Sequence, residues 1–215
     1  MSDNSDDLSL YPRRDELAAA LSQLSSATVG VVGDFCLDHY LFIDSDLAEV
    51  SIETGRTTSP VGAFASSPGG AANLAANLAA LGVGRVVALG VVGADFYGRQ
   101  LRGVLEEARV DTRRLAEQSE GWDTQVYMKV IQDRRERDRF DFGVHNRLAQ
   151  ESMDAVIASV AAELPRLDAL LVNQQLRTGI HTDEFRRRLR ELLQDRRPTL
   201  VLIDSRDFCD ELDIG

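Results

Sequence analysis

The chain has 215 residues, with Asp+Glu 35 against Lys+Arg 24 and a formal net charge of −11. Its composition, 44% apolar and 27% charged, is that of a globular chain that can bury a core, and its length suits one α/β domain, alone or with a small appendage. The acidic balance without a basic arm argues against a nucleic-acid groove, no apolar run approaches the roughly 18 residues of a membrane span, and two cysteines are too few for a disulfide framework.

Residues 1–11 read as a disordered tail and residues 12–215 as the domain. Met1 to Asp7 are acidic and polar, the opposite of a secretory leader, so a cytoplasmic chain with reduced thiols is expected. Leu17, Leu21 and Leu24 recur at helical spacing, and Thr28 to Gly33 then form a buried strand. Between Ser51 and Phe64, Thr, Val and Phe are broken by Gly55, Pro60 and Gly62, which predicts short extended pieces. Gly70 to Leu81 is Ala-, Leu- and Asn-rich without a breaker, a helix closed by Gly82. Arg85 to Val92 predicts a strand and Asp95 to Ala108 a helix. Thr124 to Ile131 is extended, turns through the charged residues Gln132 to Glu136, and returns through Arg139 to Phe142. Met153 to Leu164 is a helix, Ala169 to Val172 a strand, Phe185 to Leu193 a helix and Leu200 to Ile203 a strand. Strand and helix in alternation predict a parallel sheet, and the hairpin and the extended pieces predict a small second sheet outside that rhythm.

Two segments carry chemistry. In Pro68-Gly69-Gly70-Ala71-Ala72-Asn73 a glycine pair opens a helix, so a ligand can approach the backbone where the free N–H groups of the first turn point. Asn73 presents an amide there, with Asn77 one turn behind. The plainer reading is close helix packing with solvated asparagines. Gly33-Asp34-Phe35-Cys36-Leu37-Asp38 follows the first strand, and ligands of open parallel sheets sit beyond the carboxyl ends of strands. Asp34 and Asp38 can accept hydrogen bonds from polyol hydroxyls. A turn or cap is the other reading, more so for Asp34.

Together with Gly93-Ala94-Asp95-Phe96-Tyr97-Gly98, these segments resemble the amino-terminal part of the PfkB/ribokinase-type carbohydrate kinases, nearest the heptose-7-phosphate kinase branch. Where that branch has an Ile-Ser-Pro-Glu stretch this chain reads Val50-Ser51-Ile52-Glu53, without the proline; Thr124, Arg139-Phe140-Asp141 and Asp204-Ser205-Arg206 match further on, so the resemblance spans roughly residues 28 to 206. It implies a doubly wound, mostly parallel α/β sheet with a small β lid, built from segments at about 40–66 and 123–142, whose edges pair between subunits of a homodimer. It implies ATP- and Mg²⁺-dependent phosphoryl transfer to a hydroxyl of a sugar or sugar phosphate. By the same resemblance Asp34, Asp38, Gly69, Gly70, Asn73, Thr124, Arg139 and Asp141 are substrate-binding candidates, and Asp204 and Arg206 are candidates for the nucleotide.

Two departures matter. Where the family offers an acidic residue at a strand end, this chain has Asn173-Gln174-Gln175. The family's second signature, a glycine-rich turn with Gly-Asp that supplies the anion hole and the base, is not found. Gly93-Ala94-Asp95 shares its letters but follows an early strand. The base is therefore expected beyond Gly215, and this chain is expected to carry the acceptor-binding half of the fold, with its carboxy-terminal part missing and no turnover of its own. The alternative is a non-catalytic sugar-binding or regulatory protein. His39, His145 and His181 are too scattered for a metal pattern, and Arg186 to Arg190 read as a solvated helix face.

Overall fold

A computed structural model describes residues 13–195 and 200–208, so the expected tail at 1–11 lies outside the described residues. Helix α1 (Arg14–Gln23) leads to strand β1 (Thr28–Gly33), and the chain passes through Asp34 alone into β2 (Phe35–Ile43). β3 (Val61–Gly70) returns antiparallel to β2 and runs directly into α2 (Ala71–Ala80). There follow β4 (Arg85–Gly93), α3 (Phe96–Glu107), β5 (Val110–Asp111), β6 (Leu115–Gln118), β7 (Gln125–Gln132) and β8 (Arg135–Asp141). The last described elements are α4 (Gln150–Glu163), β9 (Ala169–Gln174), α5 (Asp183–Asp195) and β10 (Leu200–Ser205).

The main sheet has the order β10-β9-β1-β4, with β5 and β6 both on the far side of β4, and every pairing is parallel. Strands buried on two faces need apolar side chains on both, and β4 supplies them as a continuous Val- and Leu-rich run. On one face Val31, Ala88, Leu101 and Leu105 join the sheet to α2 and α3. On the other, Val32, Leu89, Val156, Phe185 and Leu189 join it to α4 and α5. Helices on both faces make the sheet doubly wound.

The second sheet has the order β3-β2-β7-β8. It starts at Phe35 and reaches Gly70, wider than the 40–66 segment expected, because β2 continues β1 without a turn. Between Val50 and Thr57 only a single bridge forms. The two edges of this sheet differ: β8 is exposed throughout and charged at every position but Phe140, whereas β3 carries no charge from Val61 to Gly70. Exposed charges discourage a β edge from pairing with another chain.

Helix α5 follows the expected spacing, with Phe185, Leu189 and Leu193 buried, and Arg187 on the outer side paired with Glu184 and Glu191. Arg186 corrects the expectation of a fully solvated arginine face. It is buried, donates to the His181 carbonyl at 2.6 Å and to Asp183 at 2.8 Å, and stacks on Phe208 at 3.7 Å. Its neighbour Arg188 pairs across to Asp154 on α4.

Candidate functional site

The sheet order reverses at β1: β4 lies on one side of it and the later strands β9 and β10 on the other. Loops leaving the carboxyl ends of β1 and β9 therefore run in opposite directions and leave a crevice between them, the usual ligand position in open α/β sheets. A cleft of about 220 Å³ occupies this place, lined by Cys36, Asp38, Gly70, Tyr127, Arg139, Gln175 and Arg206. β2 alternates, so Cys36 and Asp38 share the cleft face, and its register places Tyr127 opposite Asp38 and Lys129 opposite Tyr40.

Asp38 accepts from Lys129 Nζ at 2.8 Å, and Lys129 also approaches the Tyr40 hydroxyl at 3.4 Å. The hydrogen bond to Asp38 raises the Lys129 pKa, so the ammonium persists throughout the neutral range. Arg139 donates twice to Asp141, at 2.6 and 2.8 Å, and stacks its guanidinium over the Tyr127 ring at 4.3 Å. Arg206 differs from these: its backbone N–H donates to Gln174, but its guanidinium has no hydrogen-bond or ion-pair partner among the described residues. Lys129, Arg139 and Arg206 thus place three cationic groups in or beside the cleft, the first two of them paired with carboxylates. Burial, followed by Asp38 and Asp34, pushes the Cys36 thiol up to about 12, so it remains protonated and is no nucleophile.

Asp34 is placed otherwise. Its side chain is buried, and its carboxylate accepts backbone N–H groups from Gln175 at 2.9 Å, Leu176 at 3.0 Å and Ile180 at 2.9 Å. It anchors the loop after β9 below the cleft, and its own carbonyl accepts from Ala71 at 2.9 Å at the start of α2. Gly179 is required there because a side chain would meet the Asp34 carboxylate. Gly70 is required for a different reason: its φ is +53°, and a Cβ would lie 2.5 Å from the Asp34 carbonyl oxygen. Gly69 lies beneath Asp38, where a Cβ would lie 3.2 Å from Oδ2.

Thr124 is likewise part of the framework. Its hydroxyl accepts from Gly93 N–H at 2.8 Å, and its N–H donates to Asp95 Oδ2 at 2.7 Å. Asp95 caps α3 by accepting from Gly98 N–H at 2.6 Å, which occupies both carboxylate oxygens. Asn73 is exposed, accepts from Asn77 at 3.3 Å, and does not line the cleft. Asp204 accepts from Asn173 at 2.8 Å, and Gln174 turns the chain after β10 by accepting from Ser205, Arg206 and Asp207. The structure thus brings Asp38, Gly70, Arg139 and Arg206 together and adds Tyr127 and Gln175 to the lining, with Lys129 holding Asp38.

A doubly wound parallel sheet whose first strand continues into a four-stranded lid, with a polar cleft at their junction, defines the ribokinase-like class of α/β fold. The sequence pattern of the pfkB family of carbohydrate kinases matches residues 27–197, and the chain belongs to that family. Among curated relatives, it is 33% identical over 151 residues to the D-beta-D-heptose 7-phosphate kinase of Bordetella bronchiseptica, a match covering 70% of this chain and 46% of that protein. It is 31% identical over 153 residues to the bifunctional protein HldE of Wolinella succinogenes, covering 71% of this chain and 31% of that one. Among solved structures, Arabidopsis thaliana ribokinase complexed with ribose and ATP superposes with a TM-score of 0.55 at 16% identity, over 83% of this chain and 53% of the ribokinase. Ribokinase from Thermotoga maritima gives 0.52 at 18% identity, over 88% and 55%. The chain therefore spans half or less of the curated relatives it matches and about half of these solved chains.

Proposed function

We propose that the cleft at the end of β1 binds the acceptor of an ATP-dependent sugar-phosphate kinase, with a heptose 7-phosphate as the sugar favoured by the two curated relatives. The observation that carries this reading is the pairing, in one small cleft, of a carboxylate suited to hydroxyls with a guanidinium suited to a phosphate that has no partner among the described residues. Asp38, held by Lys129, accepts from sugar hydroxyls. Arg206 and the Tyr127-stacked Arg139 face the phosphate, which a planar fork of donors recognises in two-point fashion. Asp34, Thr124 and Asp95 act through the backbone, fixing the loops that carry these groups.

Transfer of a γ-phosphoryl group needs a base for the attacking hydroxyl and fixed donors around the phosphate. The described carboxylates near the cleft are engaged: Asp38 with Lys129, Asp141 with Arg139, Asp204 with Asn173 and Asp207 with Gln174. No three described His, Cys, Asp or Glu side chains converge to hold a metal ion by themselves, so a Mg²⁺ here would be held mainly by nucleotide phosphates and water. We assign this chain acceptor binding in the cytoplasm, without turnover of its own. The uncharged β3 edge and the exposed Phe42, Val61 and Phe64 beside it support pairing of two lids in a homodimer. Light scattering at micromolar concentration is expected to give twice the 23.7 kDa chain mass, and a strictly monomeric mass would contradict that pairing.

The test of the function is calorimetric titration of the chain with heptose 7-phosphate. Asp38→Asn is expected to weaken binding by roughly 1–3 kcal/mol, the scale of a charged hydrogen bond, with an unchanged circular dichroism spectrum. Unaltered affinity would contradict the role of Asp38. With Mg-ATP added, no ADP release is expected, and turnover of order 1 s⁻¹ would contradict acceptor binding without catalysis.

A further inference from the structure

At the opposite end of the main sheet's strands, where β4 begins, Arg85, Arg113, Arg114 and Arg166 surround a pocket of about 390 Å³ with Glu163 at its base. β4 runs nine residues from there to Gly93, roughly 26 Å at about 3.3 Å per strand residue, and the acceptor cleft lies beyond the other end of its parallel neighbour β1. Arg85 donates to Glu163 at 2.8 Å and to Asp111 at 2.9 Å, and Arg114 donates to Glu163 at 2.9 Å. Arg113 grips Asp111 with two bonds, at 2.7 and 2.9 Å. The Arg85 and Arg114 guanidiniums hold the Glu163 carboxyl below the usual carboxylate range, so it stays ionised.

Structural pinning accounts for part of this cluster only. Two carboxylates fix three guanidiniums and thereby tie β4, the turn after β5 and the end of α4 together. Arg166 takes no part in that: it is exposed and has no hydrogen-bond or ion-pair partner among the described residues. Four positive charges against two negative ones stand at one spot of a chain of net charge −11, a local excess that attracts a counter-anion. The guanidiniums are already oriented by their carboxylates, so an anion would meet donors fixed in place, as charge-assisted recognition of phosphate requires. The volume falls within the range of small-molecule sites.

We propose that this pocket is a second anion site that binds a phosphoryl dianion, as free phosphate or a small phosphomonoester, remote from the acceptor cleft and independent of the function proposed for it. The test is an NMR titration of the ¹⁵N-labelled chain with inorganic phosphate and with glycerol 3-phosphate, each against sodium chloride of equal ionic strength. Saturable shifts are expected at Arg113, Arg114 and Arg166 in both wild type and the Arg139→Ala/Arg206→Ala double variant, which removes the arginines of the cleft. The tighter of the two probes identifies the source of the phosphoryl group. Arg166→Glu, at an exposed position, is expected to weaken binding at least tenfold, and Arg113→Ala to act in the same direction while Asp111 keeps Arg85. Shifts reproduced by chloride, confined to residues of the cleft, or unchanged by Arg166→Glu would overturn the proposal.

Discussion

Asp34→Ala is expected to lower folding stability by about 3–5 kcal/mol, because it leaves the N–H groups of Gln175, Leu176 and Ile180 without their acceptor in a buried place. Each such orphaned donor costs about 1–3 kcal/mol, and water entering the vacated space offsets part of the sum. For a domain of this size the loss corresponds to a fall in Tm of roughly 6–20 °C. Since whole domains are stable by only about 5–15 kcal/mol, the variant stands near the limit of folding. Thermal unfolding followed by circular dichroism checks it. A change below about 1 kcal/mol would mean that the loop after β9 does not depend on this carboxylate, leaving Asp34 free to meet a ligand.

The second large effect is expected at Asp95. Its two oxygens serve two segments, the first turn of α3 through Gly98 and the entry to β7 through Thr124. Losing an N-cap costs about 1 kcal/mol, and losing a charged acceptor for the Thr124 N–H adds about 1.5–3 kcal/mol. Asp95→Ala is thus expected to cost about 2–4 kcal/mol, read as a lowered midpoint in urea at unchanged m-value. A midpoint within error of wild type would mean that the aspartate of Gly93-Ala94-Asp95 is not structural, and its role would have to be sought in chemistry.

These two aspartates also mark where the sequence is legible and where it is not. Local signals locate α2, with a glycine pair before it and Gly82 after it, and β4, a long apolar run, because both depend on near neighbours. β2 is harder to read. Its alternation of Cys36, Asp38 and Tyr40 with Phe35, Leu37 and His39 has the period of a strand, yet the aspartates draw the eye to a loop. β5 and β6, with two and four residues, are too short for any periodicity.

The cleft is legible where a motif carries it and obscure where pairing does. Asp38 and Gly70 stand in motifs, but Lys129 reaches Asp38 only because β7 lies parallel to β2 in one register, a fact fixed 91 positions away. The partners of Asp34 are 141 to 146 residues distant, so a hydroxyl acceptor and a backbone anchor look alike along the chain. Arg186 shows the reverse. It directly follows the buried Phe185 and lies three before the buried Leu189, so the helical pattern could have placed it at the margin of the buried stripe.

Calorimetric affinity for heptose 7-phosphate and for the same heptose without its phosphate, in wild type and in Arg206→Ala, tests most directly whether the cleft is built for a phosphorylated acceptor. In wild type the phosphate is expected to tighten binding by roughly 10- to 150-fold, the equivalent of about 1.5–3 kcal/mol for hydrogen bonds to a charged group. Arg206→Ala is expected to remove most of that advantage and to leave the affinity for the unphosphorylated sugar as it was. Equal affinity of wild type for the two sugars, or an equal loss for both in Arg206→Ala, would contradict the account.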